Sequence, residues 1–172
     1  MTPDARMRTY AATALFALAG SYGAFVSTGP AALPRAIFYA VLLLNTYFSI
    51  RLFARIEPRD TPQFLVNTAL VALYCVLGVS IGEPVAFPLL AFLVFAVATP
   101  KYWLMLGKIG HDAYLWRKIR IDLSGVVLTA LSAMGALAGY PLAAAWLLAG
   151  VFAVANVYHL WLRPMYELPA GE

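Results

Sequence analysis

Side chains able to do chemistry are sparse in this sequence, and their spacing argues against most of it. His111 and His159 stand in different helical segments. Two such imidazoles could be axial haem ligands or a metal pair, but they lack the Cys or carboxylate companions of a persuasive ligand set. His159, beside Tyr158 and Trp161, reads more simply as part of an amphipathic belt at a membrane surface. Cys75 is the one cysteine, which excludes an intrachain disulfide and a multi-cysteine metal site. His111-Asp112 has no third member to complete a catalytic set, and no GxSxG, HExxH, P-loop or dinucleotide fingerprint occurs. No catalytic residue, metal ligand or cofactor is therefore expected, and an enzyme is the least favoured class.

The carboxylates point the same way. Glu83 falls in an outer turn, and Glu57, Asp60, Asp112 and Asp122 fall at or near the cytoplasmic side. Proton-coupled pumps commonly hold Asp, Glu or His deep in a span, so no midplane relay is expected. Lys101, next to Pro100 near a helix end, is expected to snorkel to the headgroups.

Uncharged polar residues inside the apolar runs are more informative. Asn45, Thr99 and Asn156 each lie 15 positions after a proline (Pro30, Pro84, Pro141), which puts them about 22 Å below the preceding turn if helical. Asn45 and Asn156 begin Asn-x-Tyr, with Tyr47 and Tyr158. These residues could form one polar layer that exchanges hydrogen bonds with a permeating or bound solute, or they could only bond helix to helix. Asn67, Ser124 and Thr13 present the same alternatives nearer the cytoplasm. Arg51, Arg55, Lys108, Arg117, Lys118 and Arg120 could clasp an anionic headgroup or a partner's acidic surface. Ordinary topology charges with snorkelled stems would look the same.

The elements that must position these residues are membrane helices. Of 172 residues, 63% are hydrophobic and 12% charged, where soluble domains run at roughly half and a quarter. A core of this size cannot hide so much apolar surface, so the solvent is partly lipid. Apolar runs near 9–28, 32–53, 63–81, 85–106, 121–139 and 142–162 each approach the roughly 20 residues that cross a bilayer. They predict an all-α polytopic bundle of six transmembrane helices, a single integral membrane domain over 1–172. Every Lys and Arg except Arg35 then lies on one side, which the positive-inside rule turns to the cytoplasm together with both termini. The net charge of +4 accordingly asks for membrane lipids with anionic headgroups as partners, and for no nucleic acid. Arg6 and Arg8 ahead of an apolar stretch would also suit a cleaved signal peptide, but an internal repeat favours a retained first helix.

That repeat starts from three similar outer connections, Gly29-Pro30, Gly82-Glu83-Pro84 and Gly139-Tyr140-Pro141. Counted from the prolines, alanine recurs at Ala32, Ala86 and Ala143, and the stretch from Val94 to Ala98 is identical to that from Val151 to Ala155. The pattern predicts three helical hairpins in pseudo-repeat, 9–57, 62–108 and 120–164. Small residues recur as Ala24 and Thr28, Gly78 and Gly82, Gly135 and Gly139, so the odd-numbered helices are expected to pack closely there.

A multi-pass protein of this kind, expected in a bacterial inner membrane, reads first as a small channel, facilitator or transporter protomer for an ion or small solute. The alternative is a non-catalytic membrane subunit, scaffold or lipid-binding regulator, as a homo-oligomer or with a membrane protein partner. A lipid-headgroup-modifying enzyme comes third.

Overall fold

The computed structural model describes residues 3–54, 56–58, 60–110 and 112–162, with side chains from residue 6 onward. Arg55, Arg59, His111 and Arg163, which carry part of the expected charge pattern, lie outside the described residues. The chain forms helices α1 (Pro3–Val26), α2 (Ala32–Phe53), α3 (Thr61–Val79), α4 (Ala86–Ile109), α5 (Ala113–Leu137) and α6 (Pro141–Val157), and a π-helical turn over Tyr158–Leu162 follows. Among the described residues there are six helical segments long and apolar enough to cross a membrane. Helix is what lipid demands, because each backbone N–H and C=O must find its partner within the segment.

Local residues set the boundaries. Asp60 caps α3 by accepting from the Gln63 amide at 2.9 Å, with Pro62 in the first turn. Asp112 caps α5 by accepting from the amides of Tyr114 at 2.7 Å and Leu115 at 3.0 Å. That cap starts α5 at Ala113, well ahead of the predicted 121, so the basic stretch around Arg117 continues the transmembrane helix. At the other end of α5, Gly139 adopts a φ of +91°. There the Tyr140 amide donates to Gly135 at 2.9 Å and the Gly139 amide to Ala136 at 3.1 Å, the paired bonds of a Schellman stop.

Each helix packs on two neighbours in the cyclic order α1, α2, α6, α5, α4, α3. The end carrying the α2–α3 and α4–α5 connections is called here the basic end, and the opposite one, with the short Gly/Pro connections, the turn end. From the turn end to mid-depth the middle of the ring is filled by aromatics. Phe38 meets Phe152 with ring centres 4.8 Å apart and Phe87 at 5.9 Å, while Phe95 meets Phe152 at 5.7 Å. A second buried cluster, Phe53, Tyr102, Met105, Leu115 and Ile119, joins α2, α4 and α5 at the basic end.

α1 and α3 touch backbone to backbone at the turn end. A methyl on Gly23 would lie 1.9 Å from the Gly78 carbonyl oxygen, and one on Gly78 would lie 2.7 Å from the Tyr39 hydroxyl. That hydroxyl reaches the carbonyls of both Phe16 and Tyr74 at 3.0 Å, so one donor on α2 ties α1 to α3. The α1 residues in this contact are Gly20 and Gly23, not the Ala24 and Thr28 of the repeat register. Gly82 faces Ser27 and Gly135 faces Ala144, but a side chain at Gly139 would meet nothing within 4 Å. Gly139 therefore supplies a turn conformation and no helix contact. α5 packs on α4 and α6 instead of on another odd-numbered helix, and Gly125 admits the Phe95 ring there.

Candidate functional site

Below the aromatic core, towards the basic end, α1 to α5 wall a cavity of about 880 Å³, within the size range of small-molecule sites. Leu42, Val94, Phe95, Phe16 and Leu70 supply apolar surface. Asn45, Thr46, Ser49, Tyr74 and Tyr102 supply uncharged polar groups, and Arg8, Glu57, Asp60, Lys101, Lys118 and Asp122 bring charge.

Two charge nodes are built into the wall. In the first, Glu57 Oε1 accepts from Gln63 Nε2 at 2.7 Å and Asn67 Nδ2 at 2.9 Å, and pairs with Lys101 Nζ at 3.0 Å. Burial by itself would push the Glu57 carboxyl up, but Lys101 and the two amide donors outweigh it and hold it below the ordinary carboxylate value. In the second, Lys118 Nζ donates to Asp122 Oδ1 at 2.5 Å across one helical turn. Lys118 is 6% exposed and Asp122 fully buried. The two ammonium groups lie 5.8 Å (Lys101) and 5.4 Å (Lys118) from the centre of the Tyr102 ring. Tyr102 Oη sits 2.8 Å from Ser49 Oγ, which ties α4 to α2 beside the cavity.

These nodes correct three sequence expectations. Lys101 does not snorkel, because Pro100 lies inside α4 and the following lysine is about two turns from the helix end, where Glu57 takes its charge. Lys118 is not a surface cation available to headgroups, since Asp122 one turn later holds it inside. Asp122 is an interior carboxylate about 22 Å along α5 from Leu137, close to the depth of Asn45 and Asn156.

The expected polar layer is only partly assembled. Asn45 Nδ2 donates to Asn156 Oδ1 at 2.6 Å, and Asn156 Nδ2 donates to the Phe152 carbonyl at 2.8 Å, which bonds α2 to α6. Thr99 donates to the Phe95 carbonyl of its own helix at 2.9 Å. Tyr47 packs against Phe48, with Tyr10 further off, and Tyr158 is exposed at the start of the π-helical turn. Of these five residues Asn45 alone lines the cavity. Asn67 joins the Glu57 node, whereas Thr13 and Ser124 bond to carbonyls of their own helices.

The basic residues disperse as well. Arg51 and Arg120 are exposed, and Lys108 pairs with Asp60. Arg117 Nη2 lies 3.3 Å from His159 Nδ1, an electropositive setting that suits no metal. Arg55 lies outside the described residues. Among the described residues no group of three or more His, Cys, Asp and Glu is placed to hold a metal ion.

Sequence reasoning missed Tyr74, Thr46, Ser49 and Tyr102. The Thr46 hydroxyl donates to the Leu42 carbonyl at 2.7 Å and lies 2.7 Å from Tyr74 Oη, which bridges α2 and α3 over the cavity. The Lys118-x-x-x-Asp122 spacing was a readable signal for one node, because residues four apart share a helix face. Nothing in the sequence pairs Glu57 with Lys101.

No known protein family, curated protein or solved structure matches this chain.

Proposed function

We propose that this multi-pass membrane protein is a facilitator or transporter protomer for a small solute, with the cavity at its basic end as the solute site. The observation that carries the reading is a cavity whose largely apolar wall carries a cluster of charged and uncharged polar side chains, next to a packed aromatic core. A protein that only anchors or scaffolds has no use for the Lys118–Asp122 pair buried in a cavity wall, since a buried pair stabilises no more than well-packed apolar side chains of the same volume. The basic end faces the cytoplasm of a bacterial inner membrane on the positive-inside rule, so the cavity is inward-facing. Its inner limit is the layer of Phe16, Tyr74, Val94 and Phe95, which must part for passage. The hairpin repeat enters through Asn45 and Asn156, equivalent positions of the first and third hairpins that bond to each other.

The test is flux into proteoliposomes of alkali ions, small amines, carboxylates and uncharged polyols. Saturable flux of one class, weakened when Asn45→Leu and Asn156→Leu are combined, supports the reading. Absence of flux for all four classes in a correctly folded preparation overturns it, and native mass spectrometry showing retained lipid or a protein partner would then favour a subunit or lipid-binding role.

A further inference from the structure

The cavity also carries a record of which hydrogen-bonding groups it lacks. Among the described residues, the buried side-chain atoms without a hydrogen bond at the basic end are Asp122 Oδ2, Gln63 Oε1 and Asp60 Oδ2. All three are acceptors. Asp60 has Lys108 as its ionic partner and Gln63 is not part of the cavity wall, which leaves Asp122. Asp122 is itself fully buried and forms part of the cavity wall. An orphaned buried acceptor costs roughly 1–3 kcal/mol until a donor meets it, so an incoming donor recovers free energy that an incoming acceptor cannot.

The charges narrow the class further. At Asp122 an anionic solute would meet a carboxylate and would have to take Lys118 from it, and breaking that buried pair is costly. Arg8, the exposed cation of the wall, is the other anchor open to an anion, and a carboxylate probe tests it. A cationic solute placed at Asp122 Oδ2 would sit beside Lys118, with Lys101 across the same Tyr102 ring, and like charges at such range repel. An uncharged donor pays neither cost. Leu42, Val94 and Phe95 offer apolar surface for the rest of the molecule.

From this we infer that the cavity takes an uncharged amphiphile bearing hydroxyl donors, whose head group donates to Asp122 Oδ2 while its apolar body lies against Leu42, Val94 and Phe95. This rests on the cavity being the solute site proposed above. The experiment measures saturable binding to the full chain in nanodiscs, with empty-disc subtraction, of three radiolabelled eight-carbon probes that differ only in head group: a vicinal diol, a primary ammonium and a carboxylate. The diol is expected to bind at least about tenfold more tightly than either ion, corresponding to about 1.4 kcal/mol. Replacing Lys118→Met and Asp122→Leu together removes the ion pair as a unit, a change that cores often tolerate, and is expected to erase the diol's advantage. Equal or tighter binding of either ion to the wild-type chain overturns the inference, with no variant needed. So does unchanged diol binding by the folded double variant. Diol binding without flux of any solute would leave the inference standing and remove the transport reading. Flux of a charged solute that the diol does not compete for would do the reverse.

Discussion

The contact between α1 and α3 makes one substitution stabilising or destabilising according to place. In Gly23→Ala the new methyl would lie 1.9 Å from the Gly78 carbonyl oxygen, where ordinary contact begins at 3.4 Å, so the two backbones must separate by about 1.5 Å. Overpacking of this kind costs about 1–3 kcal/mol. The separation also stretches the bonds that the Tyr39 hydroxyl makes to both helices. Against this, replacing glycine in a helix interior by alanine gains about 0.8–1.0 kcal/mol. Because the 1.9 Å clash is with backbone that cannot rotate away, the upper part of the overpacking range, about 2–3 kcal/mol, applies, and the net expectation for Gly23→Ala is a loss of about 1–2 kcal/mol. Gly107 and Gly150 have nothing within 4 Å of a new methyl, so Gly107→Ala and Gly150→Ala should gain about 0.5–1 kcal/mol. Equilibrium unfolding by SDS in mixed micelles, followed by circular dichroism, measures all three. The close-contact reasoning fails if Gly23→Ala is as stable as the wild type, or if Gly150→Ala loses as much as Gly23→Ala.

Two further outcomes are expected. A double-mutant cycle of Asn45→Leu and Asn156→Leu should give a coupling of about 0.6 kcal/mol and no more than about 1.7, the range for interhelical hydrogen bonds in membranes; zero coupling would mean that the 2.6 Å bond contributes nothing. The lowered Glu57 carboxyl contributes stability that is present above the ordinary Glu value of about 4.3 and is lost as pH falls below it. In acid titrations of unfolding, Glu57→Gln should therefore lose less stability than the wild type over that window, and parallel curves would refute the assignment.

What the sequence disclosed and what it concealed divide along a physical line. Helix number and approximate position follow from run length, because the bilayer imposes one length on every span, and Pro141 marks a helix start by local chemistry, whereas the caps Asp60 and Asp112 went unread and α5 begins at Ala113 instead of 121. The α1–α3 contact was half legible: Gly78 stood out by its spacing to Gly82, but Gly20 and Gly23 broke the repeat register and so went unremarked. The candidate site was least legible. Asn45 and Asn156 were visible because polar residues are conspicuous in apolar runs, whereas Glu57 and Lys101 are brought together by the meeting of a loop with the middle of α4. Charges near span ends look alike in sequence whether they reach water or turn inward, and only the packing of a second helix decides.

The cyclic order of the helices also sets a timetable for assembly. Hairpins α1–α2 and α3–α4 can dock on one another as soon as both are inserted, through α1 and α3. Until α6 arrives, however, Phe38 lacks Phe152 and Asn45 lacks Asn156, so the half-built bundle holds a polar amide at membrane depth without that acceptor, a costly position in lipid. Of the six helices α6 is therefore the one that closes the ring, by spanning the gap between α2 and α5.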